Sequence, residues 1–290
     1  MKRATFGAIV LSFSLGNSDL AAWAQQLPNR GGSFRFAVIG DSGTGGKRQY
    51  EIGSLLEEYH KTLRFQTVLM LGDNIYGADT PKDFQNKFEL PYKALLDSKV
   101  KFFASLGNHD SPRQSSYKLF NMDGRRYYTF KPHDDVRFFA LDSTAMDKPQ
   151  LEWLEKELSG SGSDWKIAYF HHPIYSSGAR HGSDLALRTA LEPLFQKYGV
   201  SLVLAGHDHF YERTKPQGGI HYFVIGGSAK LRVGNVRPSS LSEKWFDQDN
   251  SFALMEIDGD TAHFQAISRA GATVDGGSFM RVSGANLKSK

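Results

Sequence analysis

The sequence predicts an α/β fold that passes into an antiparallel tail, on three observations. Between residues 34 and 205, short apolar, β-rich runs alternate with segments whose apolar residues recur at helical spacing. After residue 220 the pattern is strand alone. Five of the apolar runs break off at an Asp, an Asn or a His, four of them through a glycine.

The elements follow in order. Residues 25–33 (Gln-Gln-Leu-Pro-Asn-Arg-Gly-Gly-Ser) read as a linker ended by the first strand, 34–39. A helix is predicted over 49–60, where Ile52, Leu55, Leu56 and Tyr59 share one face. Strands follow over 67–71 and 101–106, then a strand pair over 127–130 and 136–141. A second helix spans 149–158, with Pro149 near its first turn, where a missing N–H costs nothing. Residues 165–170 are a strand, 185–198 a helix closed by Gly199, and 201–205 a strand. The tail holds strands over 220–225, 252–257 and 261–267, the last two joined by a hairpin signalled by Asp258-Gly259. Residues 228–250 carry no periodicity and are expected to form a loop. No repeat or composition break interrupts 34–283, so that span is expected to be one catalytic domain, with 284–290 a frayed tail.

Composition narrows the chemistry. The 290 residues are 40% hydrophobic and 23% charged, with a formal net charge of +4 and a pI near 9.0. The densest basic pair, Arg125-Arg126 beside Tyr127 and Tyr128, is too short for a nucleic-acid footprint and is expected to be a solvated strand edge; no nucleic-acid partner is expected. The absence of cysteine excludes disulfide frameworks, zinc–cysteine sites and thiol catalysis. At the N-terminus, Lys2 and Arg3 precede an apolar stretch over 6–15, too short to span a bilayer at ~20 helical residues, and then Ala22-Trp23-Ala24. Residues 1–24 are therefore expected to be a signal peptide cleaved after Ala24, giving a secreted or periplasmic protein with no stable membrane insertion afterwards.

The five strand endings carry the chemistry. Phe-Ala-Val-Ile-Gly runs into Asp41, Val-Leu-Met-Leu-Gly into Asp73, Phe-Ala-Ser-Leu-Gly into Asn108, Ile-Ala-Tyr-Phe into His171, and Leu-Val-Leu-Ala-Gly into His207. Each sets a candidate metal ligand past the C-terminal end of a buried strand, the edge at which open α/β sheets bind ligands. Asp41, Asp73 and Asn108 offer oxygen; His171, His207 and His209 offer nitrogen. Mixed oxygen and nitrogen donors without thiolate suit Fe, Zn and Mn. A carboxylate can bridge two such cations, and the pair can clamp phosphoryl oxygens during in-line displacement.

The motif series Gly-Asp-Ser-Gly (40–43), Gly-Asp-Asn-Ile-Tyr (72–76), Gly-Asn-His-Asp (107–110), His-His-Pro (171–173) and Gly-His-Asp-His (206–209) resembles that of the calcineurin-like metallophosphoesterases. Two details resemble the purple acid phosphatase branch in its small, tartrate-resistant form: Gly43 stands where the wider superfamily usually has a histidine, and Tyr76 lies three residues past Asp73. The resemblance covers about residues 34–267 and implies a four-layer αββα sandwich, two mixed β-sheets flanked by helices. It implies a binuclear centre of Fe(III) plus a divalent Fe, Zn or Mn. Asp41, Tyr76 and His209 would hold the trivalent iron, Asp73 would bridge, and Asn108, His171 and His207 would hold the divalent metal. His109 matches a pocket histidine that contacts phosphate or leaving group, and His181 a second one, with His172 competing for that place; Asn108 also faces the substrate. Arg213 is expected either to steer anions or to pair with Glu212 or another acid.

The implied activity is acid phosphatase: a metal-bound hydroxide attacks a phosphate monoester in line while His109 or His181 protonates the leaving oxygen. The partner is a small phosphorylated substrate. Alternatives on the same motifs are a phosphodiesterase or phospholipase-type hydrolase, a non-catalytic metal-binding protein, and an iron-dependent redox role.

Overall fold

A computed structural model describes residues 26–282. The expected signal peptide over 1–24 and tail over 284–290 lie outside the described residues.

Two mixed sheets carry the architecture. The first contains β1 (Phe34–Ile39), β2 (Thr67–Leu71), β3 (Lys101–Ser105), β11 (Ser251–Asp258), β12 (Thr261–Ser268) and β13 (Thr273–Met280), in the order β13-β12-β11-β1-β2-β3. The second contains β4 (Tyr128–His133), β5 (Val136–Ala140), β6 (Trp165–Phe170), β7 (Leu202–Ala205), β8 (Tyr211–Thr214), β9 (His221–Ile225) and β10 (Ser242–Phe246), in the order β10-β8-β9-β7-β6-β5-β4. Strands β1, β2 and β3 run parallel, as do β5, β6, β7 and β9, so the C-terminal ends of each set share one edge. The remaining pairings are antiparallel.

Side-chain alternation assigns the faces. On β6, Ile167 and Tyr169 join the core between the sheets, while Ala168 and Phe170 join the core under the helices. Phe36 and Phe138 meet edge-to-face across the sheets at 5.2 Å, and the Tyr128 hydroxyl donates to the Ala104 carbonyl at 2.7 Å. Helix α1 (Lys47–Leu63) packs Ile52 and Leu56 against the first sheet. Helices α4 (Lys148–Ser159) and α5 (Leu185–Tyr198) pack Leu154, Leu158, Leu191 and Phe195 against the second. The result is the four-layer αββα sandwich. Both later helices have an aspartate N-cap, Asp147 accepting from Gln150 N and Asp184 from Leu187 N, and Gly199 at φ 69 ends α5.

Some expectations needed revision. Residues 81–97 form α2 (Pro81–Phe84), a π-turn (Gln85–Glu89) and α3 (Lys93–Asp97), begun by a capping box between Thr80 and Asp83. The stretch 228–250 contains β10, and its loop part is bonded down: Lys230 N donates to Asp41 O and Arg232 N to His209 O. The residues before β1 are fastened as well, since Asn29 N, Arg30 N and the Ser33 hydroxyl all donate to the buried Glu256 carboxylate. The last hairpin turns at Gly259-Asp260, because Asp258 still pairs with Thr261.

Candidate metal centre

The two parallel edges meet, and the residues that follow them converge. Asp41, Asp73 and Asn108 come off β1, β2 and β3 of one sheet; His171 and the His207–His209 turn come off β6 and β7 of the other. The sheets are laced together there. His171 Nδ1 donates to the Leu71 carbonyl at 2.8 Å and His207 N donates to Asp41 Oδ2 at 2.8 Å, while within the first sheet Asp41 N donates to Gly72 O at 3.1 Å. Asp41, Asp73 and His207 adopt φ of 52, 52 and 69, a conformation costly for side chains with a Cβ and held here by those bonds. The glycine before Asn108 has a steric cause: a Cβ on Gly107 would overlap Asp73 N and Oδ1.

Two groups of donor atoms result. In one, Asp41, Asp73 and His209 bring ligand atoms within 4.8 Å of one another. The Tyr76 hydroxyl donates to Asp41 Oδ1 at 3.2 Å, and His209 Nε2 lies 3.2 Å from the same oxygen. In the other, His171, His172 and His207 do likewise. His171 Nε2 lies 3.0 Å from Asn108 Oδ1, 3.1 Å from His207 Nδ1 and 3.5 Å from Asp73 Oδ1. Asp73 thus faces both groups.

The second group fits a cation on chemical grounds. With its Nδ1 proton given to Leu71 O, His171 turns a lone pair on Nε2 toward Asn108 Oδ1 and Asp73 Oδ1, both acceptors. Lone pairs so close repel unless a positive charge lies between them. Electrostatics agree. Burial, then the neighbouring His172, holds the His171 imidazole at about 3; burial, then His171, holds His207 at about 2; burial, then Arg232, holds His209 at about 3. All three are neutral through the ordinary acid range, which is the ligating form. Burial and the Asp73 charge push the Asp41 carboxyl up, and burial with Asp41 and Asp73 does the same to the Tyr76 phenol. A cation would reverse the two upward shifts at Asp41 and Tyr76 and deepen the downward ones at the histidines, in each case favouring the ligating form.

Around these groups stand the outer histidines. His109 and His181 are exposed; the His109 ring lies 5.0 Å from that of Tyr76 and the His181 ring 4.2 Å from that of His207. His172 is half-buried, its Nδ1 3.0 Å from the Ser143 hydroxyl and its ring 4.4 Å from that of His207. Arg213 pairs with Asp275 at 2.8 and 3.1 Å, while Glu212 accepts from Ser177 N and the Ser242 hydroxyl, so of the alternatives Arg213 pairs with an acid, and that acid is Asp275 rather than Glu212. Arg126 pairs with the buried Asp142 rather than forming a wholly solvated edge. The 460 Å³ cleft bounded by Gln26, Leu27, Tyr59 and Gln265 shares no residue with the centre.

Residues beyond those expected shape the centre. Asp110 accepts from Asn74 N, Asn74 Nδ2, Ile75 N and Gly107 N at 2.8–3.1 Å, tying the turn after β2 to the turn after β3. Asp208, between His207 and His209, accepts from the Ser176 hydroxyl and from Gly182 N, which anchors the loop carrying His181. Both lie inside motifs visible in the sequence; Lys230 and Arg232, beside Tyr76 and His209, lie in the patternless stretch, where nothing marked them.

The chain is similar to known proteins. Residues 34–211, more than half of the chain, match the family model described as calcineurin-like phosphoesterase. The chain is 29% identical over 223 positions to Fe(3+)-Zn(2+) purple acid phosphatase 12 of Arabidopsis thaliana, covering 67% of this chain and 46% of that protein. It is 27% identical over 213 positions to tartrate-resistant acid phosphatase type 5 of Mus musculus, covering 61% of this chain and 64% of that one. It therefore spans about half the length of the plant relative and under two thirds of the mouse relative. A purple acid phosphatase from yellow lupin seeds superposes with a TM-score of 0.74 at 18% identity, over 91% of this chain and 56% of its own. This chain belongs to the calcineurin-like phosphoesterase family.

Proposed function

We propose that the chain is an exported acid phosphatase that hydrolyses small phosphate monoesters at a binuclear metal centre. The observation that carries this is the convergence of two donor groups on Asp73, neither of them ion-paired to a lysine or arginine among the described residues. Asp41, Tyr76 and His209 would hold a trivalent iron, Asn108, His171 and His207 would hold a divalent Fe, Zn or Mn, and Asp73, which faces both groups, would be shared between them. When bound, the two cations supply an activated water and neutralise charge on the phosphoryl oxygens. The chain's own groups do the rest. The Leu71 carbonyl fixes the His171 tautomer so that Nε2 faces the centre. Exposed His109 and His181 flank the opening, where either can protonate the leaving oxygen or hold a phosphate oxygen, with Asn108 and His172 completing the pocket wall.

The compact, histidine-lined opening favours a monoester, whose dianion can meet both cations and still offer an oxygen to His109. Export rests on residues 1–24; among the described residues no helix is long and apolar enough to cross a membrane. The test is turnover of nitrophenyl phosphate against bis-nitrophenyl phosphate by purified, metal-analysed protein at matched pH. Faster monoester hydrolysis is expected, and faster diester hydrolysis would move the assignment to a phosphodiesterase. Mass spectrometry of the exported protein should place the mature N-terminus near Gln25; a retained Met1 would refute cleavage.

A further inference from the structure

One wall of the centre is built from two loops zipped together. Gly178 bridges Val236, Ala179 N donates to Asn235 O at 2.9 Å, and Arg237 N donates to Ser177 O at 2.8 Å. One loop carries Arg180 and His181; the other carries Lys230 and Arg232. The second loop is fastened to the ligand residues themselves, through Lys230 N to Asp41 O at 3.2 Å and Arg232 N to His209 O at 3.1 Å. The Lys230 ammonium sits 4.3 Å from the centre of the Tyr76 ring. Arg232 is half-buried, and its Nη1 is buried with no hydrogen-bond partner among the described residues. Among those residues Arg180, Lys230 and Arg232 form no salt bridge.

The Asp208 and Asp41 carboxylates act on Arg232 only from beyond ion-pair distance; three cations with no paired carboxylate among the described residues, one with a desolvated donor left open, are costly unless an anion meets them. The phosphoryl group to be cleaved lies over Asp73 and the ligand cluster. The wall borders that cluster, with Lys230 over the Tyr76 ring, and supplies none of the donor atoms, so its cations are free to meet a further anionic part of the substrate. A half-buried guanidinium on a rigid wall suits a compact phosphate rather than an extended polyanion.

We propose that Arg180, Lys230 and Arg232 form a second anion subsite, and that the favoured substrates are small phosphomonoesters bearing a second phosphate. This rests on the phosphatase function proposed above.

The test compares kcat/KM of the metal-loaded protein for fructose 1,6-bisphosphate and fructose 6-phosphate, with nitrophenyl phosphate as reference. The wild type should prefer the bisphosphate by about 10–100-fold, the span of one charge-assisted hydrogen bond. Added salt should erode that preference. Arg180→Gln/Arg232→Gln should reduce it to within about threefold, and Arg232→Lys should retain part of it. Equal wild-type turnover of the two sugar phosphates would overturn the subsite while hydrolysis of nitrophenyl phosphate left the phosphatase function standing. Turnover of none of the three would remove both. An equal loss on all three substrates in the double variant would assign the arginines to the transferred phosphoryl group and overturn the proposal. The wild-type comparison holds whether or not a variant folds.

Discussion

Asp110→Asn probes how the ligand-bearing turns are held together. The carboxylate takes four N–H groups: its Oδ1 serves Asn74 N at 2.8 Å and Ile75 N at 3.1 Å, and its Oδ2 serves Gly107 N at 2.8 Å and Asn74 Nδ2 at 2.9 Å. An amide keeps one oxygen and sets an NH₂ against two of those donors, so two bonds are lost and two donors go unserved. Burial pushes this carboxyl up to about 7 against the pull of the Gly107 N–H, so near neutrality part of the population already carries a proton. That tempers the loss to about 2–4 kcal/mol, two bonds at about 1–2 kcal/mol each. The freed backbone belongs to Asn74 and Gly107, adjacent to Asp73 and Asn108. Metal affinity should therefore fall by about 10–100-fold, as for other groups that orient ligands. Urea unfolding of the metal-free protein reads the first quantity, and calorimetric metal titration the second. A variant within about 0.5 kcal/mol of wild type, the scatter of an ordinary surface substitution, with undiminished metal affinity, would refute the bracing role.

Elemental analysis should find two metals per chain, one of them iron, and chelation should lower Tm because the cations bind only the folded arrangement; full activity with a single stoichiometric metal would remove the binuclear centre. Tyr76→Phe should abolish a visible phenolate-to-iron absorption while leaving the far-ultraviolet dichroism intact, and a colourless, iron-loaded wild type would contradict the ligand role of Tyr76. In the metal-free protein at pH 5, His171, His207 and His209 should be neutral, because their positions of about 3, about 2 and about 3 lie below both that pH and the ordinary 6.5. Ring nitrogen shifts measure this directly, and a protonated ring at any of the three would show that burial does not control it.

Legibility followed burial. The C-terminal four residues of strands β1, β2, β6 and β7 are covered on both faces, so 36–39, 68–71, 167–170 and 202–205 read as unbroken apolar runs, and the polar residue that follows each run stood out. Helix α5 was readable to the residue because Leu187, Leu191 and Phe195 share its buried face and Gly199 closes it. Strand β10 was invisible: it lies at a sheet edge, none of its five residues is buried, and no alternation is imposed on it. Strand β13, also at an edge, contains Gly276-Gly277, and Gly277 leaves room for the Phe264 ring. The capping box at Thr80 was present in the sequence and is the signal that would have found the helices over 81–97. In the centre, the donors at strand ends were legible as residue types at fixed spacing. Lys230 and Arg232 were not, because backbone bonds to Asp41 and His209 bring them in, and main-chain pairing between distant loops leaves no mark on side-chain identity.

The pairing of Gly43 with Tyr76, noted first as a family resemblance, has a physical cause in the way two turns lie against each other. Gly43 N donates to Asp73 O at 3.2 Å and Tyr76 N donates to Gly43 O at 2.9 Å, so the turn after β1 runs flush along the backbone of 73–76. A Cβ at position 43 would overlap the Asn74 carbonyl. A histidine there is incompatible with this approach, and the phenol of Tyr76 reaches Asp41 Oδ1 from the neighbouring turn instead. Gly43→Ala should therefore separate the turns, costing more than about 3 kcal/mol, since backbone and not a flexible side chain must move. It should also weaken the metal held by Asp41, Tyr76 and His209 more than the one held by His171 and His207. Gly46→Ala is the control: a Cβ there meets only the Thr44 hydroxyl, at 3.5 Å, and should cost no more than about 1 kcal/mol, the scale of an N-cap change. Equal stability of the two variants, or retained iron absorption in Gly43→Ala, would mean that close approach of the turns does not dictate which side chain completes the iron site.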